Sequence, residues 1–170
     1  MNVSITDILD QIIASLPLFK PELSLIVGFI LSIVAALFFE KHLKNTTFTV
    51  AIVSIAASIY YLCLQVPIAA TGFSALWLVD KLGTYARLII AVTTLIIALF
   101  IQQRHRKENN GDIYSTLLAA TLGMHILCNS SNWLVAFIGI EMVSIASYII
   151  LCYFSQTKAQ SEAPMKYALF

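Results

Sequence analysis

Charged residues are scarce in this chain of 170 residues, because Asp, Glu, Lys and Arg together make up only 11% of it. A soluble domain usually carries about 25% of such residues. Hydrophobic residues reach 59%, and a soluble domain of this size could not bury so much apolar surface in one core. The low charge therefore excludes an ordinary soluble protein and indicates that lipid surrounds much of the chain.

Other features that are absent or few exclude further classes of function. The net charge is +1, and no basic stripe predicts binding to nucleic acid. Cys63, Cys128 and Cys152 form no Cys-x-x-Cys pair and no metal-ligand spacing, so we interpret them as small apolar helix residues. No phosphate-binding loop, dinucleotide motif or haem spacing is present. We expect no metal, no cofactor and no soluble small-molecule ligand on this chain.

Five long apolar runs predict helices that cross a membrane, which requires about 20 residues within a range of about 17 to 25. The runs are apolar on all sides, which favours helices over the alternating strands of a β-barrel. They cover residues 23–39, 48–64, 85–101, 113–128 and 133–154, and a sixth helix is predicted to start near residue 164. We therefore predict an all-α polytopic membrane helix bundle, a single membrane domain over residues 1–170 with five transmembrane spans and the start of a sixth.

The two ends of the chain need separate interpretations. Residues 5–16 carry apolar side chains at helical spacing together with Asp7 and Asp10. This pattern favours an amphipathic helix at the membrane surface over a signal peptide, with an extension of the first span as the alternative. The sequence stops at Phe170, early in the sixth helix. We expect an amino-terminal fragment of a longer protein, with a short interfacial tail as the alternative.

The basic residues predict the topology. Loops after the first, third and fifth spans share one side with the start of the sixth helix, and that side is the richer in Lys and Arg. It holds Lys41, Lys44, Arg104, Arg106, Lys107, Lys158 and Lys166, against Lys20, Lys81 and Arg87 on the other side. The richer side should be cytoplasmic, so we expect a multi-pass protein of the inner (plasma) membrane with its amino terminus outside. Arg87, Trp77 and Trp133 are interpreted as interfacial anchors.

Glu141 is the residue that most strongly suggests chemistry, because it lies deep in the fifth apolar run. It follows Trp133 by eight residues and precedes Phe154 by thirteen, which is roughly 12 Å and 20 Å along a helix. A charged carboxylate that faces lipid at this depth costs roughly 3 kcal/mol or more. Glu141 should therefore be protonated, paired or facing a wet interior. A proton relay or ion pathway is favoured, and a carboxyl group that only links helices is the alternative.

Two other titratable residues are weaker candidates. Lys166 either takes part in proton transfer or extends to the cytoplasmic interface, and its depth differs too much from that of Glu141 for a direct salt bridge. His125, near the outer end of the fourth span, is of the residue type that exchanges protons near neutral pH. A locally hydrogen-bonded histidine is favoured, and a relay is the alternative. Small residues predict that the face around Glu141 packs on other helices: Gly139, Ser144 and Ser147.

Several stretches resemble one known family. Residues 132–148, Asn-Trp-Leu-Val-Ala-Phe-Ile-Gly-Ile-Glu-Met-Val-Ser-Ile-Ala-Ser-Tyr, resemble the fifth helix of the antiporter-like subunits of respiratory complex I. Residues 161–170, Ser-Glu-Ala-Pro-Met-Lys-Tyr-Ala-Leu-Phe, resemble the segment that follows it, with its Glu-Ala-x-x-Lys-Tyr pattern. Residues 115–124 resemble the preceding helix, and Pro21-Glu22 is similar to the start of the subunit N branch.

The resemblance implies a proton-pumping membrane-arm subunit of NADH-quinone oxidoreductase that binds no redox cofactor and contacts the other membrane-arm subunits. It places Glu141 on the glutamate of a proton half-channel and Lys166 on the lysine of the Lys-Tyr motif. The family's broken seventh helix and its central lysines are not among these residues, and Pro164 departs from the helix-forming residue usual there. We therefore do not expect residues 1–170 to pump protons alone. A subunit of a cation/proton antiporter or membrane-bound hydrogenase, and a non-transporting membrane anchor, are the alternatives.

Overall fold

The computed structural model describes residues 5–38, 45–73, 75–104, 111–154 and 158–169, and most of them are helical. The helices are α1 (Ile5–Ser15), α2 (Lys20–Phe38), α3 (Thr46–Gln65), α4 (Lys81–Arg104), α5 (Gly111–Asn129), α6 (Trp133–Tyr153) and α7 (Lys158–Leu169). A 3-10 turn, Leu16–Phe19, joins α1 to α2. Four basic residues of the predicted cytoplasmic side lie outside the described residues: Lys41, Lys44, Arg106 and Lys107.

Four helical segments among the described residues are long and apolar enough to cross a membrane. They are Ile12–Phe38, Thr46–Gln65, Lys81–Gln103 and Trp133–Tyr153. The predicted class, an all-α polytopic membrane bundle, is thereby confirmed. Helix α5 covers the predicted fourth run but does not belong to this set, because Thr, Ser, His and Asn side chains lower its hydropathy. The number of five spans stays a prediction.

Helix α5 is the central element of the bundle, since it packs against α2, α3, α4 and α6. Leu118, Thr121 and His125 are among its fully buried side chains. Helix α6 is more apolar, yet of its described residues Gly139 and Ala146 are the buried ones. In a bilayer the apolar helix can face lipid, whereas polar side chains are stable only where protein encloses them. The burial of α5 therefore follows from its composition.

Small residues allow two of these helix pairs to approach closely. A Cβ atom on Gly28 of α2 would collide with the Ser54 side chain of α3. A Cβ atom on Gly139 of α6 would lie 3.0 Å from the carbonyl oxygen of Gly123 on α5. Gly139 therefore faces α5, and Glu141, two residues or about 200° further round the helix, is exposed. The prediction that Gly139 and Glu141 share one face is wrong.

The connection between α3 and α4 contains a small β-hairpin that the sequence did not predict. Strands β1 (Ala70–Gly72) and β2 (Trp77–Val79) pair antiparallel, with Gly72 opposite Trp77. The Trp77 ring lies 5.1 Å from that of Phe19, edge to face, and its residue is only 4% exposed. The prediction of Trp77 as an interfacial anchor is therefore wrong, because its indole ring is buried within the protein.

The turn between α5 and α6 lies against this hairpin. Trp77 forms a β-bridge with Ser130, and the backbone N–H of Ser131 donates to the carbonyl oxygen of Leu76 at 3.3 Å. Ser131 also donates its hydroxyl to the carbonyl oxygen of Ala75. We call this end of the bundle, comprising residues 16–19, the two strands and residues 130–132, the hairpin end.

The two terminal helices differ in how well they match the prediction. Helix α1 covers the predicted amphipathic segment, and its Leu9 and Ile13 side chains are exposed; its placement on a membrane surface stays a prediction. Helix α7 begins at Lys158, ahead of the predicted start near residue 164, so Pro164 lies inside the helix. Proline has no backbone N–H, so it costs one hydrogen bond inside a helix but none in the first turn. For this reason Pro164 predicted a helix start.

Candidate functional site

A buried ion pair joins α2 to α4 at the hairpin end. The Nη1 atom of Arg87 donates to Oε1 of Glu22 at 2.7 Å, and both side chains are 0% exposed. Removing two charges from water is costly unless they pair closely and their remaining hydrogen-bonding groups are satisfied. The prediction that Arg87 is an interfacial anchor is wrong, because its guanidinium group turns into the bundle toward Glu22.

The guanidinium group of Arg87 finds further acceptors on α3 and α4. Its Nη2 atom donates to Oε1 of Gln65 at 3.3 Å and to Oγ1 of Thr84 at 3.2 Å. Its Nε atom donates to the carbonyl oxygen of Gly83 at 3.4 Å. Gln65 is held in turn, because its Nε2 atom donates to the carbonyl oxygen of Leu18 at 2.9 Å. The cation thus has four acceptors, and only one of them carries a charge.

His125 of α5 lies beside this ion pair and is also 0% exposed. Its Nδ1 atom is 3.6 Å from Oε1 of Glu22, which is too long for a hydrogen bond. Among the described residues, neither ring nitrogen has a hydrogen-bond partner, and the same holds for Oε2 of Glu22. The favoured interpretation of His125 as a locally hydrogen-bonded residue therefore stays a prediction. The imidazole lies beside the carboxylate of Glu22.

Glu22 and Arg87 were not predicted as site residues, although the sequence contained a signal. Each lies at the edge of an apolar run, where an interfacial position is the ordinary interpretation. In an alternating topology, however, the start of the first span, the end of the second, the start of the third and the end of the fourth all meet at one side. That rule places Glu22, Gln65, Arg87 and His125 at one level, with opposite charges facing each other.

Glu141 lies apart from this cluster, on the side of α6 that α5 does not cover. It is exposed, and within the described ranges no hydrogen bond or ion pair is formed by its carboxyl group. Its neighbour Gly139 packs on α5 instead. The carboxyl group sits roughly 12 Å along α6 from Trp133, with Ile140 and Ile145 exposed on the same helix. Its surroundings within this chain are therefore apolar and open.

Lys166 lies in the last turn of α7 and is largely exposed. Its Nζ atom is 3.3 Å from Oε2 of Glu162, one turn earlier, and the two side chains are 69% and 63% exposed. The structure therefore does not bring Glu141, Lys166 and His125 together. In the part of the chain that the structure describes, no three His, Cys, Asp or Glu residues lie close enough to hold a metal ion.

Comparison with known proteins identifies the relatives of this bundle. No family model matches the chain. A curated protein of Acaryochloris marina (strain MBIC 11017), named NAD(P)H-quinone oxidoreductase subunit 2, is 32% identical over 152 residues, which is 88% of this chain. Over this stretch the chain is a homologue of the Acaryochloris protein. A protein of the same name from Prochlorococcus marinus (strain MIT 9303) is 35% identical over 101 residues, 58% of the chain.

The homology confirms the resemblance to the antiporter-like subunits that the sequence suggested. It covers only part of the relatives, because the chain spans 29% of the length of the Acaryochloris protein and 19% of that from Prochlorococcus. Another relative, from Synechococcus sp. (strain CC9902), has the same name and is 30% identical over 154 residues. By their names, all three relatives are subunits of an NAD(P)H-quinone oxidoreductase.

Proposed function

We propose that this chain contributes Glu141 to a proton half-channel in a proton-translocating membrane subunit of an NADH-quinone oxidoreductase. The names of its homologues support the complex. The position of Glu141 supports the role, because an unpartnered carboxyl group in an apolar helix is stable only when it is protonated or meets water or protein. A group that exchanges between these states can pass a proton on. This outward position on α6 is the observation that carries the proposal.

The proposed role also includes a membrane location, partner subunits and a part for Lys166. The chain lies in the inner (plasma) membrane with its amino terminus outside, beside the other membrane-arm subunits of complex I. Electron transfer takes place elsewhere in the complex, and this chain binds no redox cofactor. Lys166 exchanges protons on the cytoplasmic side, where its exposed pair with Glu162 is of a weak kind that separates readily.

Replacing Glu141 by Gln tests the proposal in membrane vesicles that contain the assembled oxidoreductase. The substitution keeps the shape of the side chain and removes its titration. We expect inhibitor-sensitive proton pumping per NADH oxidised to fall by about half or more, because a positioned acid–base group contributes a large factor to proton transfer. The amount of assembled complex should stay the same.

Asp10→Asn is the matched control, because it makes the same change at an exposed carboxylate of α1. It should leave the pumping ratio at the wild-type value. Unchanged pumping in Glu141→Gln would show that Glu141 only links helices, as in the alternative of a non-transporting anchor. Pumping that persists without NADH oxidation and depends on sodium would instead favour an antiporter relative.

A further inference from the structure

Besides Nε1 of Trp77, three buried polar side chains near the hairpin end have atoms without partners in the described structure. These atoms are Oε2 of Glu22, both ring nitrogens of His125, and both amide atoms of Asn129. Glu22 and His125 are 0% exposed, and Asn129 is 1% exposed. Buried polar groups normally have hydrogen-bond partners, and where protein supplies none, ordered water usually does. Their concentration at one end of the bundle indicates a hydrated interior.

The three side chains form a row that leads from the ion pair toward the surface. His125 and Asn129 are four residues apart on α5 and so lie on one face of the helix, with Cβ atoms about 5–6 Å apart. His125 reaches Glu22 at one end of the row, where Nδ1 and Oε1 are 3.6 Å apart. A single water molecule can bridge such a gap. Asn129 continues the row in the other direction.

Gly83 allows two polar side chains to approach its backbone closely at the outer end of this row. A Cβ atom at this position would lie 2.7 Å from Oδ1 of Asp80 and 3.0 Å from Oδ1 of Asn129. Asp80 is half-buried and accepts a hydrogen bond from the backbone N–H of Gly83 at 2.7 Å. The missing side chain of Gly83 thus brings a carboxylate at the rim next to the buried amide of Asn129.

We propose that Glu22, Arg87 and His125 form a second proton-binding site, reached from the hairpin end past Asp80 and Asn129. The charges of Glu22 and Arg87 cancel, so one added proton gives the cluster a charge of +1. The polar and titratable groups at or beside this cluster belong to several elements: Glu22 on α2, neutral Gln65 on α3, Arg87 and Thr84 on α4, Asn129 and the thiol of Cys128 on α5, and Asp80 before α4. The only anion within the buried part of this set is Glu22, and it therefore accepts the proton.

The transfer keeps atoms and charge in balance. An N–H bond of protonated His125 breaks, an O–H bond forms on the carboxylate of Glu22, and both groups become neutral. Arg87 keeps its proton, because a guanidinium group does not deprotonate in proteins. Its acceptors Gln65, Thr84 and the carbonyl oxygen of Gly83 remain in place. Return of the proton to His125 restores the ion pair.

Access of water to His125 can be measured directly in the purified complex. The C2 hydrogen of a histidine ring exchanges for deuterium only where the ring protonates and hydroxide reaches it, and mass spectrometry reads the exchange. We expect His125 to take up deuterium although it is 0% exposed. Asn129→Leu removes the amide of the row and should slow this exchange by about tenfold, a barrier increase of about 1.4 kcal/mol. Absence of exchange in the unaltered protein would overturn the proposal.

A functional measurement separates a proton site from a structural ion pair. His125→Asn keeps a polar side chain but cannot titrate. We expect NADH oxidation to continue while protons pumped per NADH fall by about half. Thr121→Val is the matched control: it is one turn away on α5, and its hydroxyl donates to Oγ1 of Thr94 outside the cluster at 3.1 Å. Wild-type pumping ratios in His125→Asn would contradict the proposal, as would equal losses of oxidation, pumping and assembled complex.

The pumping role of this second site rests on the proposed function, but the two can fail separately. Wild-type pumping in Glu141→Gln would contradict the proposed half-channel and would leave the conclusion from the deuterium exchange of His125 unaffected. Absence of exchange at His125 would contradict the second proton-binding site, whatever pumping ratio is measured for Glu141→Gln. The exchange measurement needs no turnover, so it tests the hydrated row itself.

Discussion

The strength of the coupling between Glu22 and Arg87 can be measured with a double-mutant cycle. The variants are Glu22→Gln, Arg87→Met and the two combined, and the quantity is the free energy of unfolding. Each single substitution leaves one charge buried without its counter-charge, whereas the double variant removes both. The cycle therefore isolates the interaction between the two side chains from the effects of each one alone.

The magnitude follows from the geometry. Both side chains are 0% exposed, and Nη1 and Oε1 are 2.7 Å apart. Two unit charges about 4 Å apart interact by about 4 kcal/mol at an effective dielectric constant of 20, and removing one partner of a buried pair costs about 3–5 kcal/mol. The three neutral acceptors of Arg87 compensate part of that loss. We expect a coupling energy of about 2–4 kcal/mol.

Unfolding in mixed detergent micelles, followed by tryptophan fluorescence, supplies the measurement. Trp77 is the reporter, because it is 4% exposed and moves into a polar environment on unfolding, while Trp133 is already 91% exposed. The exposed pair of Glu162 and Lys166 is the internal control, with an expected coupling of about 0.3–0.5 kcal/mol. A coupling of Glu22 with Arg87 no larger than that of the control pair would refute the reasoning.

Two further substitutions test the packing around the site. Gly139→Leu should weaken the contact of α6 with α5 by about 1–3 kcal/mol or more, because even a Cβ atom there lies 3.0 Å from the carbonyl oxygen of Gly123. The loss should lower the amount of assembled complex, and Ile140→Leu on the exposed side of α6 is the control. Normal assembly of Gly139→Leu would contradict the packing. Asn132→Ala removes the amino-terminal cap of α6, in which Oδ1 of Asn132 accepts from the N–H of Leu134 at 3.0 Å. The substitution should lower the free energy of unfolding by about 1 kcal/mol. An unchanged free energy of unfolding in the micelle assay would contradict this role.

The helices could be predicted from the sequence because hydropathy is a local property of each run. The predicted runs fall on α2 to α6 with shifts of a few residues at the ends. The start of the next helix was missed, because Pro164 is typical of a first helical turn yet lies within α7.

The polar cluster depends on contacts between distant parts of the chain, which hydropathy does not describe. Glu22 and Arg87 are 65 positions apart, and each by itself looks like a residue at a membrane interface. Trp77 was misinterpreted for the same reason, since its partner Phe19 belongs to the turn before α2. Glu141 was recognised because its depth within one apolar run is a local signal, and its function stays a prediction.

The separation of Glu22 from Arg87 also sets an order of events during synthesis. The carboxyl group of α2 is made 65 residues before the guanidinium group of α4, which corresponds to about 3–13 s at a synthesis rate of about 5–20 residues per second. During that time the nascent helix holds an acid without its counter-charge. The cost of burying this acid is therefore offset only once α4 has been made and Arg87 is available as its partner.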